Sequence, residues 1–92
     1  MPTSITIELF STSGCNRCAQ AKQRLQNMVM EFGGGTIAYR EVDVLDELDY
    51  AVSLGVLTTP CIAIDGELVF TAMPSKKKLR AEIDKRVATL SS

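Results

Sequence analysis

Between residues 4 and 44 the hydrophobic period changes twice, and this restricts the fold more than any other feature of the 92-residue chain. "SITIELF" (4–10) sets Ile5, Ile7 and Leu9 on one side and Thr6 and Glu8 on the other. That alternation, ending in Phe10, predicts a strand. From Cys18 onward, Ala21, Leu25, Met28, Val29 and Phe32 recur at helical spacing, while the lysine, arginine and glutamines between them face outward. The pattern predicts an amphipathic helix, which Gly33-Gly34-Gly35 is expected to stop. "TIAYREVDV" (36–44) then reads as a second strand, with Ile37 and Tyr39 on one face and Val42 and Val44 on the other after a shift near Arg40. Strand, helix and strand in succession imply a right-handed crossover and two parallel strands.

The remainder completes a sheet. "DELDYAVSLG" (46–55) opens with acids and closes on Gly55, which suits a short helix with a glycine C-cap. "CIAIDGELVF" (61–70) is two apolar runs joined at Asp65-Gly66, a strong hairpin signal. Ser75 is placed to cap a last helix whose Leu79, Ile83, Val87 and Leu90 form its buried face. The expected fold is α/β, with a mixed four-stranded sheet and three helices in the order βαβαββα. Residues 1–92 are expected to form a single domain.

Charge and composition exclude several functions. A formal net charge of -1, with no stretch pairing dense Lys/Arg with aromatics, speaks against nucleic-acid binding. The run Lys76-Lys77-Lys78 reads as a solvated helix face, with a docking patch for an acidic partner as the alternative. No segment approaches the roughly 18 apolar residues of a membrane span. "MPTSITIELF" lacks the basic and apolar regions of a signal peptide, so a cytoplasmic location is expected. The chain has no histidine, which removes Cys/His zinc sites, Cys-His nucleophilic pairs and histidine acid–base chemistry together.

Chemistry then centres on "GCNRC", where Cys15 and Cys18 lie between the first strand and its helix. The carboxyl end of a strand is where sites form in such layouts. Unpaired backbone N–H groups and the positive end of a helix dipole favour thiolate there, and Arg17 adds a positive charge between the two sulfurs. Cys15 is expected to be the more exposed nucleophile, and Cys18, one turn into the helix, the resolving thiol. Other readings stay open at this point. Two inert core cysteines are one, and a metal site to which Cys61 adds a third thiolate, left open or shared between two copies, is another. Cys61 itself reads first as a small buried residue opening a strand. Pro60, just before that strand, is either an ordinary trans proline or a cis one.

A CxxC opening the first helix, followed by "GVLTTPCIAIDGELVF", resembles the thioredoxin-like superfamily, and in particular its small thioredoxin/glutaredoxin-like members. The resemblance extends over nearly the whole chain. It implies a substrate-binding loop in which the Thr59–Pro60 bond is cis, Pro60 lies against the cysteines, and the backbone of Thr59 receives the substrate disulfide. It also implies that Cys15 attacks, that Cys18 resolves, and that no cofactor is needed. The implied activity is disulfide reduction or exchange in a protein partner, by a monomer that a reductase or glutathione recharges. The alternative is a module holding a soft metal or metalloid through Cys15 and Cys18, with Cys61 as an optional third ligand. Where thioredoxins carry Trp before the first cysteine and Gly-Pro between the two, this chain has Gly14 and Asn16-Arg17. Their buried aspartate aligns near Leu9, and a glycine common after the last strand is Thr71. The Pro-Tyr pair and the acidic residues by which glutaredoxins hold glutathione are also missing, leaving Lys22 or Lys76–Lys78 as candidates to grip its carboxylates.

Overall fold

The computed structural model describes residues 5–32 and 37–90, excepting the side chains of residues 89 and 90. Seven elements follow in the predicted order: β1 (Ile5–Ser11), α1 (Asn16–Glu31), β2 (Ile37–Asp43), α2 (Leu48–Leu54), β3 (Cys61–Ile64), β4 (Glu67–Phe70) and α3 (Lys76–Leu90). The Gly33–Gly35 stop and the side chain of Leu90 fall outside the described residues.

The strand order is β2-β1-β3-β4, with β1 and β2 parallel and the other pairs antiparallel. Two helices cover one face of this sheet. Ala21, Leu25 and Met28 of α1 and Leu79 and Ile83 of α3 pack there on Ile5, Ile7, Leu9, Ile37, Ile62 and Ile64. On the opposite face Ala51 of α2 packs with Phe10, Val42, Val56, Cys61 and Ala63. The change of face expected near Arg40 is plain alternation, since β2 keeps an unbroken register from Ile5↔Ile37 to Ser11↔Asp43. Its lower half buries one parity under α1, and its upper half buries the other under α2.

Local chemistry sets the boundaries. The Asp65-Gly66 turn has φ of 52° and 80°, the pair of positive values that a tight two-residue hairpin requires. The Asp65 Oδ1 atom accepts from the Thr6 amide at 2.8 Å, which ties the hairpin to the central strand. Helix α2 begins two residues later than the acidic run suggests. Asp43 Oδ1 accepts from the amides of Leu45 (2.8 Å) and Asp46 (3.4 Å), and this turn occupies the residues before Leu48. Ser75 Oγ accepts from the Lys78 amide at 3.2 Å and caps α3 as expected.

Glu8 lies on the polar side of the β1 alternation, yet only 5% of it is exposed. Both carboxylate oxygens are satisfied. Tyr50 Oη donates to Oε1 at 2.5 Å and Arg40 Nε to Oε2 at 3.1 Å. Arg40 Nη2 also reaches Glu47 Oε1 at 3.2 Å, and its guanidinium lies 5.7 Å from the centre of the Tyr50 ring. A buried carboxylate needs such partners, because an unpaired one carries a large desolvation penalty.

The hydrogen bond to Glu8 raises the Tyr50 pKa above 10.0, with burial a further cause. Burial, and then the charge of Glu41, raise that of Tyr39. A raised folded-state pKa means that the unfolded chain releases its phenolic protons first. The linked stability is therefore whole below about pH 10 and is lost as pH rises beyond it toward the folded values. A phenolate-absorbance titration of the folded protein should show both tyrosines ionising later than in denaturant. One tyrosine titrating at the free value would contradict this packing.

Candidate redox site

Strand β1 ends at Ser11, and the chain then turns through Gly14 to begin α1 at Asn16. Gly14 has φ of 80°, a left-handed conformation that side chains with a Cβ rarely adopt. The turn closes with the Cys15 amide donating to the Thr12 carbonyl at 3.3 Å. Cys15 is the N-cap of α1, and its Sγ accepts from the Cys18 amide at 3.1 Å. A sulfur therefore takes the place that a serine or aspartate oxygen commonly holds, at the positive end of a 16-residue helix.

Cys15 and Cys18 are joined in a disulfide, with Cα atoms 5.2 Å apart. Cys15 is partly exposed, whereas Cys18 is 5% exposed beneath it. Thr59 Oγ1 donates to Cys15 Sγ at 3.8 Å and lies 3.3 Å from Thr12 Oγ1. The Thr59–Pro60 peptide bond is cis, and Pro60 is buried. The structure thus brings Cys15, Cys18, Thr59 and Pro60 together across the 40 residues that separate Cys18 from Thr59.

Arg17 is exposed and lines a cavity of about 520 Å³ together with Gln20, Arg24, Thr59, Pro60 and Met73. Lys22 is instead paired with Glu41 at 3.3 Å, and Lys76 with Glu31 at 3.4 Å. Arg24 is the residue that motif reasoning overlooks. Its signal is positional: it stands seven residues after Arg17, two turns along the same helix face.

Cys61 does not converge on the other two sulfurs. It is fully buried among Phe10, Val42 and Ala51 on the α2 face, and its Sγ donates to the Thr58 carbonyl at 2.8 Å. Among the described residues no group of three or more Cys, Asp or Glu side chains is placed to hold a metal ion. Cys61 therefore offers no third thiolate beside Cys15 and Cys18. Leu9, at the position of the thioredoxin aspartate, is buried in the α1–α3 core, and the neighbouring carboxylate of Glu8 is turned to the α2 face.

A mixed four-stranded sheet flanked by three helices, with a disulfide at the start of α1, defines a thioredoxin-fold thiol–disulfide protein. A thioredoxin domain family model matches residues 4–84, and the chain belongs to that family. Among curated proteins it is 27% identical over 85 residues to the thioredoxin of Methanocaldococcus jannaschii, covering 92% of this chain and 99% of the relative. It is 29% identical over 75 residues to a probable thioredoxin of Methanothermobacter thermautotrophicus, covering 82% of this chain and 87% of the relative. Among solved structures, a mutant thioredoxin from Halobacterium salinarum superposes with a TM-score of 0.75 at 19% identity, covering 89% of this chain and 74% of that one. Thioredoxin-2 of the malaria parasite gives the same score and identity, covering 89% and 82%. The protein is a thiol–disulfide oxidoreductase acting on protein disulfides. No helix among the described residues is long and apolar enough to cross a membrane.

Because Gly14 holds a positive φ, Gly14→Ala should cost about 1–2 kcal/mol of stability, measured by denaturant unfolding of the oxidised protein. No neighbouring atom lies within 4 Å of the added Cβ, so the cost should be conformational rather than steric. A variant as stable as the parent would rule out the left-handed turn.

Proposed function

We propose that Cys15 is the attacking thiol and Cys18 the resolving one in a dithiol–disulfide exchange. The observation that carries this reading is the Cys15 Sγ at the N-cap of α1, accepting the Cys18 amide and lying against Thr59. In the reduced protein that amide and the helix dipole favour a thiolate on Cys15. The thiolate attacks one sulfur of a substrate disulfide, forming a mixed disulfide and releasing the first substrate thiolate. Cys18, deprotonated in turn, attacks Cys15 Sγ, closes the Cys15–Cys18 bond and releases the second substrate thiolate. Two electrons pass to the substrate, and the protons lost by Cys15 and Cys18 balance those gained by its two sulfurs.

Thr59 and Pro60 line the cavity beside the disulfide, which supports their assignment to substrate binding. Arg17, on the same wall, contributes a cationic field favouring the thiolate without a direct bond to sulfur. We assign electron supply to a reductase, with glutathione as the second donor to test, and place a monomeric protein of one domain in the cytoplasm. Three cysteines, an odd number and too few for a disulfide framework, agree with a reducing compartment.

Cys15→Ser should abolish reduction of an insulin disulfide, and Cys18→Ser should accumulate a mixed disulfide with its substrate, detected by mass spectrometry. Full activity in either variant would overturn the assigned roles. Supplying thioredoxin reductase or reduced glutathione in parallel assays identifies the donor by which of them sustains turnover.

A further inference from the structure

Among the described residues, Arg40, Arg80 and Arg86 each pair with a carboxylate, as do Lys22 and Lys76. Arg17 and Arg24 have no carboxylate partner among the described residues, and both stand on the wall of the 520 Å³ cavity beside Thr59 and Pro60. Arg24 is held from one side, its Nη1 donating to the Pro74 carbonyl at 3.1 Å. Among the described residues, no aspartate or glutamate lines this cavity. A second cavity of about 350 Å³ shares Gln20 and Arg24 with the first and continues past Asn27 to Lys76, again without an acid.

The two cavities follow one face of α1. Arg17, Gln20, Arg24 and Asn27 are spaced by three, four and three residues, which places them in a row. From Arg17 to Asn27 the helix rises about 15 Å, the length of four to five extended residues. Guanidinium groups bind carboxylates strongly through paired N–H donors, and unpaired arginines on an acid-free wall present that chemistry to whatever enters.

We propose that this row selects its substrates: the enzyme prefers disulfides carried by extended peptide segments with aspartate or glutamate within about four residues of the reacting cysteine. The inference rests on the exchange reaction assigned above and names the class of substrate it acts on. A carboxylate held by Arg24 sits about two and a half helix turns from the N-cap sulfur, a reach that suits a peptide lying along α1. Glutathione also offers carboxylates, but as a tripeptide it spans only the first part of the row.

The test uses the full-length reduced protein in single-turnover reactions with three probes. These are a disulfide peptide with glutamates flanking its cysteine, the same peptide with glutamines, and glutathione disulfide. The acidic peptide should react about five- to tenfold faster than the glutamine peptide at low salt, with the ratio falling toward one as salt screens the charges. Arg24→Gln should lower that ratio at least about threefold, and Arg24→Lys should restore most of it. Equal rates for the two peptides, or a ratio unmoved by Arg24→Gln, would overturn the inference while leaving the oxidoreductase intact. Faster reaction of glutathione disulfide than of the acidic peptide would overturn the choice of an extended peptide. If none of the three is reduced, the assigned exchange reaction falls and the substrate class falls with it.

Discussion

The pairing of Phe10 with Cys61 determines where everything else in the site can be. It is the last rung of the β1–β3 ladder, so both chains leave the sheet at the same level. One departs into the turn that carries Thr12 and Cys15, and the other arrives from Thr58, Thr59 and Pro60. The contact between the hydroxyls of Thr12 and Thr59 is the direct result. Strand β1 holds this position because it is buried on both faces and paired on both edges. A slip of one residue would exchange its isoleucines for Glu8 and Phe10 on the α1 side.

This frame was legible in the sequence wherever a single period governed a segment. The β1 alternation, the α1 stripe and the Asp65-Gly66 turn each obey one local rule, and each forms where that rule puts it. Glu8 was harder. Alternation marks it as polar, but its burial depends on Tyr50, 42 residues away, and Arg40, 32 residues away. Phe10, of the same parity, was the available hint that this face is also covered. The start of α2 shifted for a similar reason, because the Asp43 side chain took the following amides before the helix could use them.

At the site, the cysteines and the proline loop could be found by motif, whereas the cationic row could not. Motifs record residues that act on a sulfur, and Arg24 touches no sulfur. Its significance arises only when α1 is seen to form a wall facing Met73 and Thr59. The departures from thioredoxin follow the same logic. Gly14 serves a left-handed turn, and Leu9 continues the apolar core.

The isolation of Cys61 has a consequence for the electrochemistry of the whole molecule. Its thiol is fully buried, bonded to the Thr58 carbonyl, and packed on the α2 side of the sheet, apart from the helix that carries the other two. Three cysteines in one small chain would ordinarily allow three intramolecular pairings, two of them wrong. Here the native sheet withholds one sulfur from the competition. The fold therefore leaves Cys15 and Cys18 as the pair that can close a disulfide within the described residues, and pairing either with Cys61 would first require opening the sheet.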